Sequence, residues 1–483
     1  MNTAADRPPY YLGFTSLEHE VVIDALPVEG AFPPWLNGAL LRTGPAKFEV
    51  GSRSYNHWFD GLAMLHKFAL AQGRVSYANR FLRGGSYCDA ERQGRIARGE
   101  FATDPCRTLF QRVASLFTRH TQRTQTDNAN VNVAALGGEV VALTEPSLPV
   151  RFDPGTLETL GVLDYDKPLS DAQLSIAHPH YDAERRRHYS YMIEFGRKSR
   201  YRLFSIDEAG RQQVIATMPV DQPAYMHSIG MSERHLVLAE FPLRVSPLRL
   251  KFSGEPFIRN YRWQPDRGLV FHVFDRDGRR VASTRGEAAF AFHHVNAYDE
   301  NDAVVVDLVA YPDARIIDQL YLERLRGGGP IDATGFLTRY RVPLDGGAVP
   351  EPVRLSDAPL ELPRINYPAR AGRRYAYVYG AGNTVAGDFI DNLVKIDVET
   401  GRSVTWREPG CYPGEPVFVA TPDTSAEDEG VVLSVVLDVR AGASFLLALD
   451  AVDFSELARA RVPHHVPFGF HGNFFPRSGI SAV

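Results

Sequence analysis

Residues 273–283 read VFDRDGRRVAS, and this short stretch contains the unit from which the fold is built. An apolar run ends at Asp275, a turn made of Asp and Gly follows, and a second run begins at Val281. Asp and Gly are the residues that tight turns between strands favour. The stretch therefore predicts two β-strands joined by an acidic turn.

The same form recurs along most of the chain. Its other instances are centred on Asp153, Asp207, Asp345, Asp397 and Asp450. Successive acidic turns, with Asp275 included, lie 54, 68, 70, 52 and 53 residues apart. A near-regular period of this size, made of strand hairpins, is typical of β-propeller blades. Six units after residue 150 leave the first 140 residues for at least one more, so we expect an all-β propeller of about seven blades.

Length and composition fit a large globular protein. The chain has 483 residues, of which 44% are hydrophobic and 23% charged. Two stacked β-sandwich domains are the alternative architecture, but they would not produce one period across the whole chain. We therefore expect a single domain over 1–483, with insertions at about 106–120 and 240–262 that form a helical or loop cap. The formal charge of -5 and the lack of a Lys/Arg run give no reason to expect a nucleic-acid partner.

Three cysteines, Cys88, Cys106 and Cys411, form no CxxC pair, which fits a reducing cytoplasm. We expect neither a signal peptide nor a membrane-spanning helix, because the N-terminus lacks the required order and no apolar run is long enough. The segment 106–120 keeps peripheral membrane contact open. It would place five apolar residues on one helical face opposite three arginines, although a helix packed on its own protein is the alternative.

Four histidines and three glutamates lie beside apolar or small residues and form a second series. In chain order the series is Glu145, His178, His227, His293, Glu361, Glu415 and His471, with intervals of 33, 49, 66, 68, 54 and 56 residues. All intervals except the first match the turn period, so each blade would contribute about one such residue near the axis. Four imidazoles can bind a metal ion, and carboxylates behind them can orient the rings and balance the charge. On this spacing alone, structural histidines remain an equal alternative.

Further motifs surround these residues and run nearly the whole length of the chain. They include NHWFDGLAMLHKF (56–68), TDNANVNV (126–133), AHPH (177–180), MHSIGM (226–231), FHHVNAYDE (292–300), ELPRINY (361–367), EPGCYPGEPVFV (408–419) and FHG (470–472). With these motifs the sequence resembles the carotenoid cleavage oxygenase family, specifically its animal-type branch of β-carotene oxygenases and the retinal pigment epithelium isomerohydrolase. The resemblance implies a seven-bladed propeller, capped by a dome, with Fe(II) held on the axis by four histidines.

Carried over to this chain, the resemblance implies one Fe(II) bound by His178, His227, His293 and His471, with O2 as cosubstrate. His180 and His294 would be neighbours of the centre and not ligands. The carboxylates behind the ligands would be Glu145, Glu361 and Glu415. Four residues would face the substrate or O2, with Val131 obstructing one coordination position; they are Val131, Thr144, Phe292 and Leu362.

The family's chemistry implies an apolar polyene as substrate, either a carotenoid or an apocarotenoid, whose C=C bond is cleaved to two carbonyl products. Central 15,15′ cleavage to retinal is the leading expectation. Eccentric 9,10 cleavage, retinoid isomerohydrolysis, stilbenoid cleavage and a non-enzymatic binding scaffold are the alternatives. Such a substrate dissolves in membranes, which favours a cytoplasmic protein with peripheral membrane contact. The oligomeric state stays open.

Overall fold

The hairpins of the acidic-turn series assemble into a ring of seven β-sheets. The computed structural model of the chain describes residues 7–105, 126–146, 148–163, 174–385 and 387–477. Within these residues the sheets form a seven-bladed β-propeller, so the predicted fold is confirmed. Strands are numbered below by their order in the chain, and each blade is described from the axis outward.

The first four blades contain the N-terminal part of the chain and its last strand. Blade 1 consists of β36 (Gly472–Pro476), β3 (Gly38–Lys47), β6 (Leu62–Ala71), β7 (Arg74–Phe81) and β1 (Val22–Ile23). Blade 2 consists of β8 (Asn132–Leu136), β9 (Glu139–Leu143), β10 (Val150–Phe152) and β11 (Thr159–Val162). Blade 3 has β12 (Leu174–Ser175) and β13 (His180–Asp182) side by side on β14 (Arg187–Glu194), followed by β15 (Ser199–Asp207) and β16 (Gln212–Val220). Blade 4 consists of β17 (Gly230–Met231), β18 (His235–Glu240), β21 (Leu269–Asp275) and β22 (Arg280–Gly286).

The remaining three blades complete the ring. Blade 5 consists of β23 (His294–Glu300), β24 (Ala303–Ala310), β25 (Phe336–Pro343) and β26 (Val353–Pro359). Blade 6 consists of β27 (Glu361–Arg364), β28 (Tyr377–Gly382), β29 (Asn392–Asp397) and β30 (Ser403–Trp406). Blade 7 has β31 (Cys411–Pro413) and β32 (Val417–Ala420) on β33 (Gly430–Asp438), followed by β34 (Ala443–Asp450), β35 (Glu456–Arg461) and β2 (Val28–Gly30). All neighbouring strands within these blades are antiparallel, which suits short hairpin connections.

Each of the six acidic turns joins the two outermost main strands of one blade, from blade 2 to blade 7. In every case Oδ1 of the turn aspartate accepts the backbone N–H two residues further on, as Asp207 does from Ala209 at 3.0 Å. Blade 1 closes the equivalent hairpin differently. Gln72 and Gly73 both have positive φ, at 50° and 75°, as in a two-residue turn between twisted strands. Blade 1 therefore lacks the acidic turn that identifies the other six blades.

The helices among the described residues lie in the connections between strands. They are α1 (Gly85–Gln93), α2 (Pro247–Phe252), α3 (Arg315–Gln319), α4 (Leu322–Arg326) and α5 (Tyr367–Arg370), with 3-10 turns at Pro9–Phe14, Trp58–Asp60, Phe257–Asn260 and Pro265–Arg267. The expected insertion at 240–262 contains α2, one of the 3-10 turns and the two-stranded ribbon of β19 (Leu243–Arg244) and β20 (Arg262–Trp263). A second small ribbon joins β4 (Glu49–Val50) to β5 (Arg53–Ser54). The expected helix at 106–120 lies outside the described residues, and the single-domain division stays a prediction.

Side chains near the axis bond one blade to the backbone of the next. Asn473 Nδ2 of blade 1 donates to Val133 O of blade 2 at 2.5 Å, and Asn132 Nδ2 of blade 2 donates to Ala177 O ahead of β13 at 2.8 Å. His180 Nε2 donates to Ile229 O at 2.9 Å, which links blades 3 and 4. Ser228 Oγ continues the series by donating to Phe292 O at 2.7 Å. These bonds hold the inner ends of blades 1 to 5 at fixed distances from one another.

The ring closes where the last strand of the chain pairs with the first blade. β36 lies against β3 in a register that places Gly472 opposite Arg42. A Cβ at residue 472 would meet Arg42 Cβ at 2.6 Å and Leu41 O at 2.7 Å. Only glycine therefore fits at this point of the closing strand.

We predict that Gly472→Ala lowers the free energy of unfolding by about 1–3 kcal/mol, the usual cost of forcing extra atoms into a packed site. Thermal and urea unfolding of the purified protein would measure it. Gly196→Ala is the matched control, because the nearest atom to an added Cβ there is Lys198 O at 3.7 Å. Equal stability of the two variants would contradict the tight closure.

Candidate metal centre

Four histidines from four blades meet on the propeller axis. His178 lies between β12 and β13, His227 precedes β17, and His293 and His471 stand directly before β23 and β36. One ring nitrogen from each lies within 4.8 Å of the other three. The closest pairs are Nε2 of His178 and His227, 3.0 Å apart, and Nε2 of His293 and His471, 3.1 Å apart. The four Nε2 atoms thus surround one point.

Carboxylates hold three of these rings from behind. His227 Nδ1 donates to Glu145 at 2.8 Å, His293 Nδ1 to Glu361 at 2.6 Å and His471 Nδ1 to Glu415 at 2.7 Å. An ionised carboxylate only accepts hydrogen bonds, so each Nδ1 carries the proton and each Nε2 presents a lone pair. Facing lone pairs about 3 Å apart repel one another unless a cation lies between them. The arrangement therefore fits a metal ion, and neutral imidazole suits iron, copper, nickel and zinc.

The surroundings favour the neutral form of His178 and His471 and the ionised form of two of the glutamates. Desolvation in the crowded centre lowers the pKa of His178 well below its ordinary value, and burial lowers that of His471 to about 4. Burial alone would raise the pKa of Glu361, but the interactions with His293, the Leu362 N–H and Tyr311 together outweigh it, and the pKa lies below the ordinary value. The pKa of Glu415 is also below its ordinary value, because the interactions with Arg364 and His471 outweigh the effect of burial. A neutral imidazole is the form that binds a metal.

A second donor fixes each carboxylate. Tyr225 donates its hydroxyl proton to Glu145 at 2.5 Å, and Tyr311 donates to Glu361 at 2.8 Å. Glu415 accepts the Gly472 backbone N–H at 2.9 Å, and Arg364 Nε lies 3.3 Å from its Oε1. The sequence pattern did not predict a role for Tyr225, Tyr311 or Arg364. Tyr225 and Arg364 lie within three residues of His227 and Glu361, whereas nothing in the local sequence points to Tyr311.

Each blade contributes one residue of the series, as expected, but the expectation of an equivalent position near the axis is wrong for Glu145. The other six lie at the inner edge of their blades, but Glu145 follows β9, the second strand of blade 2. Blade 2 places Val131 at the inner edge, where its carbonyl accepts the backbone N–H of His471 at 3.1 Å. The irregular first interval of 33 residues has this cause, since the step from Val131 to His178 is 47. Glu145 instead reaches past blade 3 to His227 of blade 4.

His180 and His294 lie next to the centre and bond elsewhere. His180 donates from Nε2 to Ile229 O and accepts the Tyr367 hydroxyl at Nδ1, at 2.9 Å in both cases. His294 Nδ1 pairs with Ser228 Oγ at 2.7 Å. Neither belongs to the cluster of four, which agrees with the expectation that both are neighbours.

An apolar cavity, partly open to solvent, adjoins the centre. Three of the clustered histidines, His227, His293 and His471, line it. Aromatic side chains form much of its wall, and the closest ring pair is Trp58 with Phe470, whose centroids lie 4.6 Å apart. The lining also includes two polar residues, Asn383 and Asp388, which are half-buried.

Three of the four expected pocket residues, Val131, Phe292 and Leu362, line this cavity. Thr144 is half-buried and is not part of the wall, so its role stays a prediction. Leu362 has φ of 51°, which is costly for a branched side chain. Its backbone N–H donates to Glu361 Oε2 at 2.7 Å, the same oxygen that holds His293. This unusual backbone conformation therefore helps to place a residue of the cavity wall beside the centre.

The sequence of the chain matches one protein family and is similar to carotenoid-cleaving enzymes over nearly its whole length. The family profile described as "Retinal pigment epithelial membrane protein" matches residues 14–476. The chain is similar to the mitochondrial carotenoid-cleaving dioxygenase of Macaca fascicularis, with 34% identity over 93% of this chain and 91% of that protein. It is also similar to the β,β-carotene 15,15′-dioxygenase of Gallus gallus, with 34% identity over 96% of this chain and 98% of that protein.

Among solved structures, the chain is similar to the cobalt-substituted apocarotenoid oxygenase of Synechocystis. The TM-score is 0.85 and the identity 26%, over 96% of this chain and 98% of the other. The likeness thus covers the whole ring of blades and not one part of it.

We predict that His471→Ala abolishes metal retention, because it removes one of the four converging imidazole ligands. Glu415→Gln should weaken metal affinity by about 10- to 100-fold, the usual effect of losing a partner behind a ligand. Metal content and competition with a chelator would measure both. His19→Ala, at an exposed position, is the control. Full metal content in His471→Ala would contradict the four-histidine assignment.

Proposed function

The chain belongs to the retinal pigment epithelial membrane protein family, and from its four-histidine centre we propose an Fe(II)-dependent dioxygenase that cleaves carotenoids or apocarotenoids. The relatives named as carotenoid dioxygenases make it an oxygenase enzyme of this family. The observation that carries the proposal is the convergence of four Nε2 atoms at the wall of an apolar cavity. We assign His178, His227, His293 and His471 as the ligands of one Fe(II) ion.

Each part of the site has a defined task in this proposal. A bound Fe(II) ion would supply the activation of O2 that its addition across a C=C bond requires. Glu145, Glu361 and Glu415 keep the protons on Nδ1 and hold the rings in place. The aromatic wall binds the conjugated chain and excludes water. We assign to Val131, beside His471, the obstruction of one side of the centre.

For the bond that is cleaved, we propose the central 15,15′ bond, which yields retinal. The Gallus gallus relative is named for this bond, but the Macaca fascicularis relative carries a broader name at the same 34% identity. Asn383 and Asp388 in the cavity lining are half-buried and polar, so they would suit a polyene with an oxygen-bearing end, as apocarotenoids have.

We predict that the iron-loaded protein cleaves β-carotene or a β-apocarotenal in ¹⁸O₂ and that each carbonyl product contains one labelled oxygen. Because aldehyde oxygens exchange with water, the products would be reduced to alcohols at once, and their masses would then be measured by mass spectrometry. Central cleavage of β-carotene gives a single product, retinal, whereas eccentric cleavage gives two products of unequal mass.

The same assay separates the alternatives. His471→Ala is the control, because it removes a proposed ligand while leaving the aromatic side chains of the cavity wall. A retinyl ester converted to a cis-retinol without oxygen consumption would replace the proposal with isomerohydrolysis. Cleavage of a stilbenoid but of no polyene would change the substrate class. The absence of any carbonyl product from every substrate would refute the dioxygenase.

We also propose peripheral contact with a membrane, where such substrates dissolve. No helix among the described residues is long and apolar enough to cross a bilayer. In α2, however, Leu248 is 70% exposed and Phe252 60% exposed, next to Arg249 and Lys251. Apolar side chains flanked by cations suit the surface of an anionic bilayer. The location of the rest of the protein in the cytoplasm stays a prediction from the cysteine pattern.

We predict that the double variant Leu248→Ser and Phe252→Ser binds vesicles of phosphatidylcholine and phosphatidylserine at least about tenfold more weakly, since two apolar side chains no longer enter the bilayer. Co-sedimentation would measure it. Val404→Ser with Val452→Ser is the matched control, because these residues are 48% and 52% exposed elsewhere on the surface. Equal loss in both pairs would exclude α2 as the specific contact.

A further inference from the structure

Arg364, at the end of β27 in blade 6, contacts two other blades near the axis. Its Nε lies 3.3 Å from Glu415 Oε1 in blade 7. Its Nη2 donates to Gly472 O and, at 2.7 Å, to Asn473 Oδ1, both in the closing strand β36 of blade 1. One guanidinium group thus bonds to the carboxylate behind His471 and to the two residues that follow His471.

Glu415 is the point at which these contacts meet. Its Oε1 accepts the His471 Nδ1 proton at 2.7 Å, and its Oε2 accepts the Gly472 N–H at 2.9 Å. Glu415 is almost fully buried, with a side chain that is 2% exposed. A buried carboxylate is costly unless charge and hydrogen bonds compensate it. Arg364 contributes the positive charge, and its planar group fixes the direction of approach.

The other two carboxylates of the centre are held by neutral groups. Glu145 and Glu361 receive their additional side-chain hydrogen bonds from the phenols of Tyr225 and Tyr311. Among the described residues, Arg364 is the one Lys or Arg side chain in an ion pair with any of the three. Three carboxylates exceed the charge of one divalent ion by one. Arg364 supplies a positive charge in direct contact with one of them, and the buried Arg42, which also interacts with the charge of Glu415, lies beyond ion-pair distance.

His471 also needs positioning more than the other ligands do. It stands directly before β36, and β36 pairs with β3 alone among the described strands. Asn473 in turn bonds to Val133 O of blade 2 at 2.5 Å. The contacts of Arg364 with Gly472 and Asn473 therefore restrain the backbone on one side of His471, while its contact with Glu415 restrains the ring.

We propose that Arg364 is a positioning residue for the metal centre, which sets the orientation of His471 through Glu415 and β36 and balances the third carboxylate. The proposal rests on the four-histidine metal site of the proposed function but not on its substrate. It predicts that loss of Arg364 weakens metal binding and alters the ligand field while the cavity stays unchanged. A merely structural link between blades would instead lower stability without either effect.

The test compares Arg364→Gln, Arg364→Lys and Glu415→Gln with the double variant Arg364→Gln, Glu415→Gln. Co(II) serves as the probe, because its visible absorption reports the geometry of its ligands. Affinity comes from competition with a chromophoric chelator, and the stability of the metal-free proteins comes from thermal unfolding. Arg339→Gln is the matched control, since Arg339 is also 24% exposed and pairs with a buried carboxylate, Asp307, away from the four histidines.

We expect Arg364→Gln to bind Co(II) about tenfold more weakly, with a changed absorption spectrum, as for the loss of a partner behind a ligand. Arg364→Lys should recover part of the affinity, because it restores the charge without the planar group. The double variant should bind no more weakly than Glu415→Gln alone, because the two residues act through one ring. Arg339→Gln should lose stability while its Co(II) affinity and spectrum stay unchanged.

Unchanged Co(II) affinity and spectrum in Arg364→Gln would overturn the proposal, as would losses in the double variant that simply add. An equal loss of affinity in Arg339→Gln would also overturn it, because the effect would then follow from general destabilisation. His471→Ala separates the two levels of inference. If it retains Co(II), the proposed metal site fails; if it loses Co(II) while Arg364→Gln does not, the positioning role alone fails.

Discussion

The hydrogen bond from histidine Nδ1 to a glutamate is the interaction on which the centre depends. It occurs three times, between His227 and Glu145, His293 and Glu361, and His471 and Glu415. Each bond selects the tautomer with a lone pair on Nε2 and turns that lone pair towards the axis. Without these bonds a propeller would place imidazoles near its axis but would not aim them. His178 has no carboxylate partner among the described residues, so its direction comes from its backbone position and its three neighbouring rings.

The same bonds also complete the ring of blades. Backbone carbonyls accept side-chain donors from blade 1 to blade 5, through Asn473, Asn132, His180 and Ser228. From there His293 and Glu361 join blades 5 and 6, Arg364 and Glu415 join blades 6 and 7, and Glu415 and His471 return to blade 1. The polar contacts that would position a metal are thus part of the circuit that closes the fold. A bound cation would remove the repulsion between the Nε2 lone pairs and so stabilise that circuit.

The blades that can be predicted from the sequence are those whose turns have a characteristic residue. The turn aspartates mark the hairpins of blades 2 to 7, because each carboxylate satisfies the backbone of its own turn. Blade 1 was inferred only by counting, since Gln72 and Gly73 form its turn through backbone conformation. Val131 and Glu145 show where sequence spacing fails to predict which residue of a blade lies at the axis. The regular step belongs to the inner edge of each blade, whereas Glu145 reaches the centre from a second strand, a route that depends on the packing of blades 2 to 4.

The sequence by itself determined the hairpins, their period and the residue types that converge, because turns and strands depend on residues that are close together in the chain. The family resemblance added the assignment of His178, His227, His293 and His471 as a group, which the structure brings within 4.8 Å. Only the tertiary structure decided which oxygen holds which ring, that Tyr225, Tyr311 and Arg364 support the carboxylates, and that Thr144 lies off the cavity wall. These contacts depend on the angles at which the seven sheets pack together. Those angles are set by the closed ring as a whole and cannot be inferred from any single segment of the chain.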